Sequence, residues 1–300
     1  MNFGALFSQV TGFFDQRFLI TYFLPSLLFW GALIVIWFAG QGNITAVTGL
    51  WSGEGAVWIV RLIAFFAWLV VFSNVLASQS SGLLRLYEGY GSFPWFGWVR
   101  RHGIAWHRRK LQQLDGSPNN YEYIYFNYPK PTQLDEVMPT RLGNILKNSE
   151  LYPSDRYGLD AVLMWPRLYD LFPAPFTEAI IALRTGVDFM LVISSLSTAF
   201  ALISGIYLVV VQGSPYLFLL CFGGGLVIAW IAYRGALSNA LLYGQQIKTA
   251  FDLYRFELLK KMQVPLPKNL GEELQTWQDL KDFIYNNGPL PWPYVEEPHA

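Results

Sequence analysis

The chain has 300 residues, 53% hydrophobic and 17% aromatic, with only 14% charged against the roughly 25% usual in a soluble domain. Basic and acidic residues balance at 21 each, so net charge points to no nucleic acid and no acidic partner. A single cysteine, Cys221, excludes an intramolecular disulfide, and with only three histidines (His102, His107, His299) the sequence offers no His/Cys metal site.

That composition fits a multi-pass membrane protein with a polar portion. A helix needs about 20 mostly apolar residues to cross a bilayer. Four stretches qualify: 18–39, 57–77, 189–211 and 215–233. The first, "RFLITYFLPSLLFWGALIVIWFAG", is too long for a signal-peptide core and lacks a cleavage pattern, so it is expected to be retained as a span. The loop that follows, 40–56, has no Lys or Arg. Asn43 heads an "NIT" glycosylation sequon there, a short pattern common by chance.

The second span carries a stripe. Ala64, Ala67, Val71, Asn74, Ser78, Ser81, Arg85 and Glu88 recur at three- and four-residue steps, small at one end and polar at the other. Small residues permit close helix approach, and Asn and Ser can bond between helices. The same stripe could line a widening pore. Arg61 is a charge within the span and so a functional suspect. It lies near one end, where it can snorkel or pair with Glu54, or it could attract anions at a pore mouth.

Between spans two and three, 96–114 reads as a basic aromatic helix, "FGWVRRHGIAWHRRKLQQL". It fits a helix at the membrane surface with Trp98 and Trp106 in the interface, although positive-inside bias alone also predicts such charges. Residues 115–131 combine turn residues, alternating tyrosines and prolines. A short strand is expected, with Tyr121, Tyr123 and Tyr125 on one face, for packing or as a base-stacking platform. Thr140 suits an N-cap for a helix over 141–150. The "YPSD" that follows should break it, with Ser154 or Asp155 capping a second helix bent at Pro166. In that helix Tyr157, Asp160, Met164 and Arg167 would share a face, and Arg156 and Asp160 would pair. Arg141, Arg156, Asp160 and Arg167 are thus read as a polar framework.

Span three should start well before the membrane, near 176, with Pro175 tolerated in its first turn. The short "QGS" turn at 212–214 makes spans three and four an antiparallel hairpin. In span four Cys221, Gly225, Ala229, Ala232 and Ala236 form a small-residue face, and "FGGG" is a weak point or kink. Span four should continue into a long polar helix. Asn269 is expected to cap a last helix, with Glu272 and Glu273 in its first turn. A proline-rich tail ends the chain.

No zinc-protease, nucleophile-elbow, phosphate-loop or dinucleotide fingerprint occurs, so no catalytic residue, cofactor or enzymatic activity is expected. The segments "PTRLGNIL", "YPSDRYGLD" and "WPRLYDLFP", within 139–173, resemble a pattern in uncharacterised bacterial multi-pass integral membrane proteins. The resemblance implies a bacterial inner-membrane protein and no activity.

The expected architecture is an all-α membrane protein with four transmembrane helices and a mainly helical cytoplasmic domain. Its parts are 1–77 with spans one and two, a cytoplasmic insert 78–187, spans three and four over 188–233, and cytoplasmic helices with the tail over 234–300. Lys and Arg mark cytoplasmic loops. They crowd the insert and the C-terminal part and are missing from 40–56 and 212–214, which places both termini in the cytoplasm. The leading expectation is a homo-oligomer in the lipid bilayer that forms or gates a pore, with Arg61, Asn74, Ser78, Ser81 and Arg85 along it. The alternative is a non-conducting scaffold or sensor whose cytoplasmic domain recruits a protein partner.

Overall fold

The computed structural model describes residues 15–42, 49, 57–91 and 96–293. The Asn43 sequon and Glu54 lie outside the described residues. In chain order the helices are α1 (Gln16–Gly40), α2 (Val57–Ser78), α3 (Ser80–Glu88), α4 (Phe96–Asp115), α5 (Tyr121–Asn127), α6 (Arg141–Tyr157), α7 (Ala161–Tyr169), α8 (Ala174–Val210), α9 (Pro215–Lys261) and α10 (Leu270–Asn286). Among the described residues there is no strand. Four helices, α1, α2, α8 and α9, are long and apolar enough to cross a membrane. Pro175 sits in the first turn of α8, and α8 and α9 both extend well beyond their apolar stretches, as the sequence indicates.

The chain divides into two compact units, one of Met1–Arg85 with Thr185–Ala236, the other of Leu86–Arg184 with Leu237–Ala300. In the first, Phe29, Val192 and Leu196 form a core with Phe72 and Leu76 against them, and Ile36, Leu208 and Cys221 form another. Apolar side chains also cover its outer surface: Ile63, Val210 and Leu220 are 63%, 74% and 71% exposed. Water would strongly disfavour such a surface; a bilayer solvates it.

α8 and α9 pack tightly because α9 presents small residues. The face of Cys221, Gly225, Ala229, Ala232 and Ala236 is buried throughout. A Cβ on Gly225 would come within 2.9 Å of the Ala201 methyl, and the Ser194 hydroxyl donates to the Ala229 carbonyl at 3.0 Å. This stripe therefore acts within one chain. α1 and α9 each contain one wide turn, Leu19–Phe23 and Leu219–Gly223. The first immediately precedes Leu24–Pro25, where proline cannot donate a backbone bond. The second falls on the start of "FGGG".

Two cores stand out among the described residues of the second unit. The larger gathers Leu159, Met164, Leu168, Phe251, Leu259, Trp277 and Leu280, so α6, α7, α9 and α10 meet there. The smaller joins Leu111 of α4 to Ile124, Tyr128 and Val137.

Two expectations for this unit are corrected. Residues 118–127 are not a strand: a single 3-10 turn, Pro118–Asn120, leads into α5. Tyr121, Tyr123 and Tyr125 consequently do not share a face. Tyr121 and Tyr125 are 60% and 46% exposed, whereas Tyr123 packs beside the smaller core. Buried Ile124, Asn127 and Tyr128 supply the helical spacing that decides the matter. Nor does "YPSD" break the helix. α6 runs through Pro153 to Tyr157 and stops at Gly158, whose φ of 74° is left-handed. There the Gly158 N–H bonds to Ser154 and the Leu159 N–H to Pro153, which satisfies the terminal carbonyls. Asp160, rather than Ser154 or Asp155, caps the next helix, accepting from the Leu163 N–H at 3.1 Å.

Candidate functional site

The sequence singles out two groups of residues, and the structure treats them differently. Along α2 and α3, Arg61, Asn74, Ser78, Ser81 and Arg85 are all exposed, as are Ala64, Ala67 and Val71 between them. Leu69 and Ser73 are buried and Phe72 and Leu76 contribute to the core, so the opposite side of α2 faces its own chain. Among the described residues the stripe is thus left exposed. Asn74 donates to the Val70 carbonyl at 2.8 Å, and Ser78 donates to the Val75 carbonyl at 2.8 Å. Each polar head is folded back on its own helix, as expected for such groups on an apolar surface. The same unit has a groove of about 500 Å³ between α1, α8 and α9, bordered by Pro25, Phe29, Ser197, Phe200 and Gly225.

The four residues of the supposed polar framework do not come together. Arg156 and Arg167 are exposed, and Arg167 donates to the Leu163 carbonyl of its own helix. Asp160 pairs with Lys281 of α10 at 3.1 Å rather than with Arg156. Burial works against the Asp160 carboxylate, but the Leu163 N–H and Lys281 outweigh it and hold its pKa low. The face proposed for Tyr157, Asp160, Met164 and Arg167 does not exist either, since Met164 is 1% exposed and turned into the core. An intervening helix stop at Gly158 puts Tyr157 and Asp160 on different elements. Arg141 alone reaches inward, donating to the Asn127 side chain at 3.2 Å with its guanidinium over the Tyr123 ring.

The "PTRLGN" stretch acts as a backbone staple. Thr140 caps α6 by accepting the Gly143 N–H, and its hydroxyl donates to the Tyr87 carbonyl at 2.7 Å. Gly143 lies so close to the end of α3 that a Cβ would meet the Glu88 carbonyl oxygen at 2.4 Å. Asn144, fully buried, accepts from the Met138 N–H and donates to the Met138 and Thr140 carbonyls at 2.9 and 2.7 Å. Every atom of its amide is used, which is what burial of an amide demands.

The polar centre of the second unit lies on α9. Lys248, Asp252 and Arg255 follow at four- and three-residue steps and share one face. Asp252 accepts the hydroxyls of Tyr157 and Tyr152 at 2.7 and 3.2 Å. Arg255 donates to the Glu273 carboxylate at 2.8 Å and lies over the Tyr157 ring. Lys248, 2% exposed, sits against the faces of Tyr125 and Tyr152 and donates to the Tyr125 carbonyl at 2.9 Å. Burial pushes its ammonium down to about 8, with Asp252 pulling the other way. Burial and the neighbouring Asp252 raise the pKa of both Tyr152 and Tyr157, so they stay neutral donors. A second buried pair joins His107 and the Tyr128 hydroxyl at 2.8 Å.

The signal for this centre was present as charges at i, i+4 and i+7 on one face of the polar helix that continues span four. It becomes visible only once the tyrosines of α6 are known to face it. The cation, carboxylate and phenols are all used by one another, and among the described residues no three His, Cys, Asp or Glu side chains gather to hold a metal. No protein-family model matches the chain, and no curated protein or solved structure matches it. The resemblance within 139–173 therefore assigns no family.

Proposed function

We propose that the protein is a non-enzymatic, four-span protein of a bacterial inner membrane that assembles as a homo-oligomer and forms or gates a pore. In this reading α2 and α3 border the path, with Asn74, Ser78 and Ser81 along it, Arg61 near the outer mouth and Arg85 near the inner one. The second unit and both termini are cytoplasmic.

The observation that carries the proposal is the outward direction of the α2 stripe. An amide and hydroxyls on a spanning helix are poorly solvated by lipid tails and favour protein or water. The other spans of the same chain do not cover this face: Asn74, Ser78 and Ser81 are exposed, while the apolar side of α2 takes the internal contacts. A neighbouring copy around a common axis would supply the missing surroundings, and small Ala64 and Ala67 would permit close approach.

The return bonds of Asn74 and Ser78 to Val70 and Val75 favour a second reading. Groups so satisfied can sit in a dry interface, which suits a non-conducting scaffold whose cytoplasmic unit recruits a protein partner.

Conductance of the reconstituted protein decides between them. The pore reading expects an oligomer in native-lipid particles and ion flux that Asn74→Leu and Arg61→Ala each change several-fold. A monomer, or flux indifferent to both substitutions, overturns it. An oligomer without flux selects the scaffold.

A further inference from the structure

The outer side of α4 has no use in either reading, yet it is exposed, basic and aromatic. Its inner side is anchored. A Cβ on Gly103 would meet the Pro139 carbonyl oxygen at 2.5 Å, His107 bonds Tyr128, and Leu111 is fully buried. The helix is therefore held in one rotational setting. That setting turns Trp98, Val99 and Trp106 outward, 61%, 45% and 56% exposed. Arg101 and Arg109 accompany them, also exposed, and the exposed Arg100 stands at the N-terminal end of the anchored side.

The charges divide in a telling way. Arg108, directed back at the unit, pairs with Asp135 at 3.1 Å and bonds the Leu134 carbonyl at 2.7 Å. Arg100, Arg101 and Arg109 belong to no ion pair among the described residues. The helix carries no acid before its last residue, Asp115. Lys110 lies over the Trp106 ring, 5.1 Å from its centre, which adds a cation to the aromatic edge. Indoles interleaved with unpaired guanidinium groups match one environment well. The headgroup layer of an anionic bilayer offers phosphates for the cations and a half-polar, half-apolar depth for the indoles. Guanidinium stems can lie along apolar material while their heads stay at phosphate level. Only residues 89–95 separate α4 from α3, which follows the second span almost directly, so the chain tethers α4 to a membrane-crossing helix.

We propose that the exposed side of α4 is a docking surface for the anionic headgroups of the bilayer that the chain itself spans. Held there, α4 lies along the membrane surface and couples the composition of the lipid leaflet to the second unit. Loss of anionic lipid or high salt releases it.

The test uses the full chain with Cys221→Ala and a single reporter cysteine at Val99 or Trp106, labelled with an environment-sensitive fluorophore. The protein is reconstituted into phosphatidylcholine, or phosphatidylcholine with phosphatidylglycerol, each containing lipid that bears a quencher at headgroup depth. Strong quenching at both positions is expected with phosphatidylglycerol, much less without it, and relief at high salt. Arg101→Gln and Arg109→Gln should each shift the bound-to-released ratio about five-fold, the factor corresponding to ~1 kcal/mol per basic side chain near an anionic surface. Arg→Glu at the same exposed positions, which also reverses the charge, gives a larger loss. Equal quenching in both lipids overturns the proposal, because headgroup charge is then irrelevant. Shielding of the reporter without quenching overturns it too, since a protein then covers the face.

Discussion

His107 is the group in the second unit whose burial has the clearest consequence. Its ring is 6% exposed, beside Tyr128 at 2.8 Å. Burial first, then the positive charges of Lys110 and Arg141, push its pKa down to about 4. Burial raises Tyr128 to about 12, so the phenol stays protonated and shares a hydrogen bond with Nδ1 of the neutral imidazole. The sign of the pH dependence follows. Above the unfolded value of about 6.5, His107 is neutral in both states and contributes no slope. Between about 6.5 and about 4 the unfolded chain takes up a proton that the folded chain refuses, so stability falls with pH. The total loss is about 3 kcal/mol, complete once pH has passed below about 4. His107→Gln keeps a side-chain acceptor for Tyr128 and does not titrate. Thermal midpoints in detergent, measured from pH 7.5 to pH 4, should fall more steeply for the parent than for this variant. Parallel curves would show that His107 is protonated or solvated in the folded protein. The Lys248–Asp252–Arg255 face follows the same physics by a different route. There the charges stay buried because rings, a carbonyl and carboxylates surround them, and removing one partner would strand the others.

At the scale of elements, Asp160 separates capping from ion pairing. It caps α7 through the Leu163 N–H and also meets Lys281, whose side chain is 49% exposed. An N-cap is worth about 1 kcal/mol, whereas a pair with one solvated partner contributes at most a few tenths. Asp160→Asn retains the cap and should stay within about 0.5 kcal/mol of the parent. Asp160→Ala should cost about 1 kcal/mol or more, read as a lower denaturant midpoint at unchanged slope. Equal losses for both would mean that Lys281 matters more than the backbone bond. The legibility of the elements follows from the same contrast between local and distant forces. The spans were readable because length and hydrophobicity are local and a bilayer imposes both. Asn269 capping α10 was readable for the same reason, its side chain accepting the Glu272 N–H at 3.0 Å. α5 misled because its tyrosines happen to alternate, while the residues that decide its helical state, Ile124 and Asn127, are defined by what they pack against. Pro153 misled likewise. A mid-helix proline costs about 3 kcal/mol, yet the Tyr152 and Tyr157 hydroxyls on either side of it both reach Asp252, about a hundred residues away in sequence. The polar framework read from Arg141, Arg156, Asp160 and Arg167 failed because charge density in a sequence does not reveal which charges turn inward.

At the scale of the whole molecule, the charge distribution bears unequally on which side of the membrane carries the second unit. Positive-inside bias counts residues close to the ends of spans, since a long polar segment can cross almost regardless of its charge. The many cations in the middle of 86–184 therefore carry little weight. Those that carry most are Arg17 in the first turn of α1, Arg85 and Arg184 flanking the long insert, and Arg234 beyond the apolar part of α9. All four fall on the side shared by the termini and the second unit in a four-span arrangement. The opposite ends, 40–56 and 211–214, contain no Lys or Arg. The cost of an Arg at the membrane centre, about 2.5 kcal/mol or more on insertion scales, gives each flanking Arg leverage during insertion. A fluorescent protein fused after Ala300 should accordingly fold and fluoresce, and alkaline phosphatase at the same place should be inactive. A cysteine at Gly42 should react with an impermeant maleimide from outside intact cells, while one at Gln275 should react only after lysis. The reverse pattern would place the basic face of α4 outside, away from the anionic inner leaflet, and would remove the physical basis for both the inner pore mouth at Arg85 and the docking of α4.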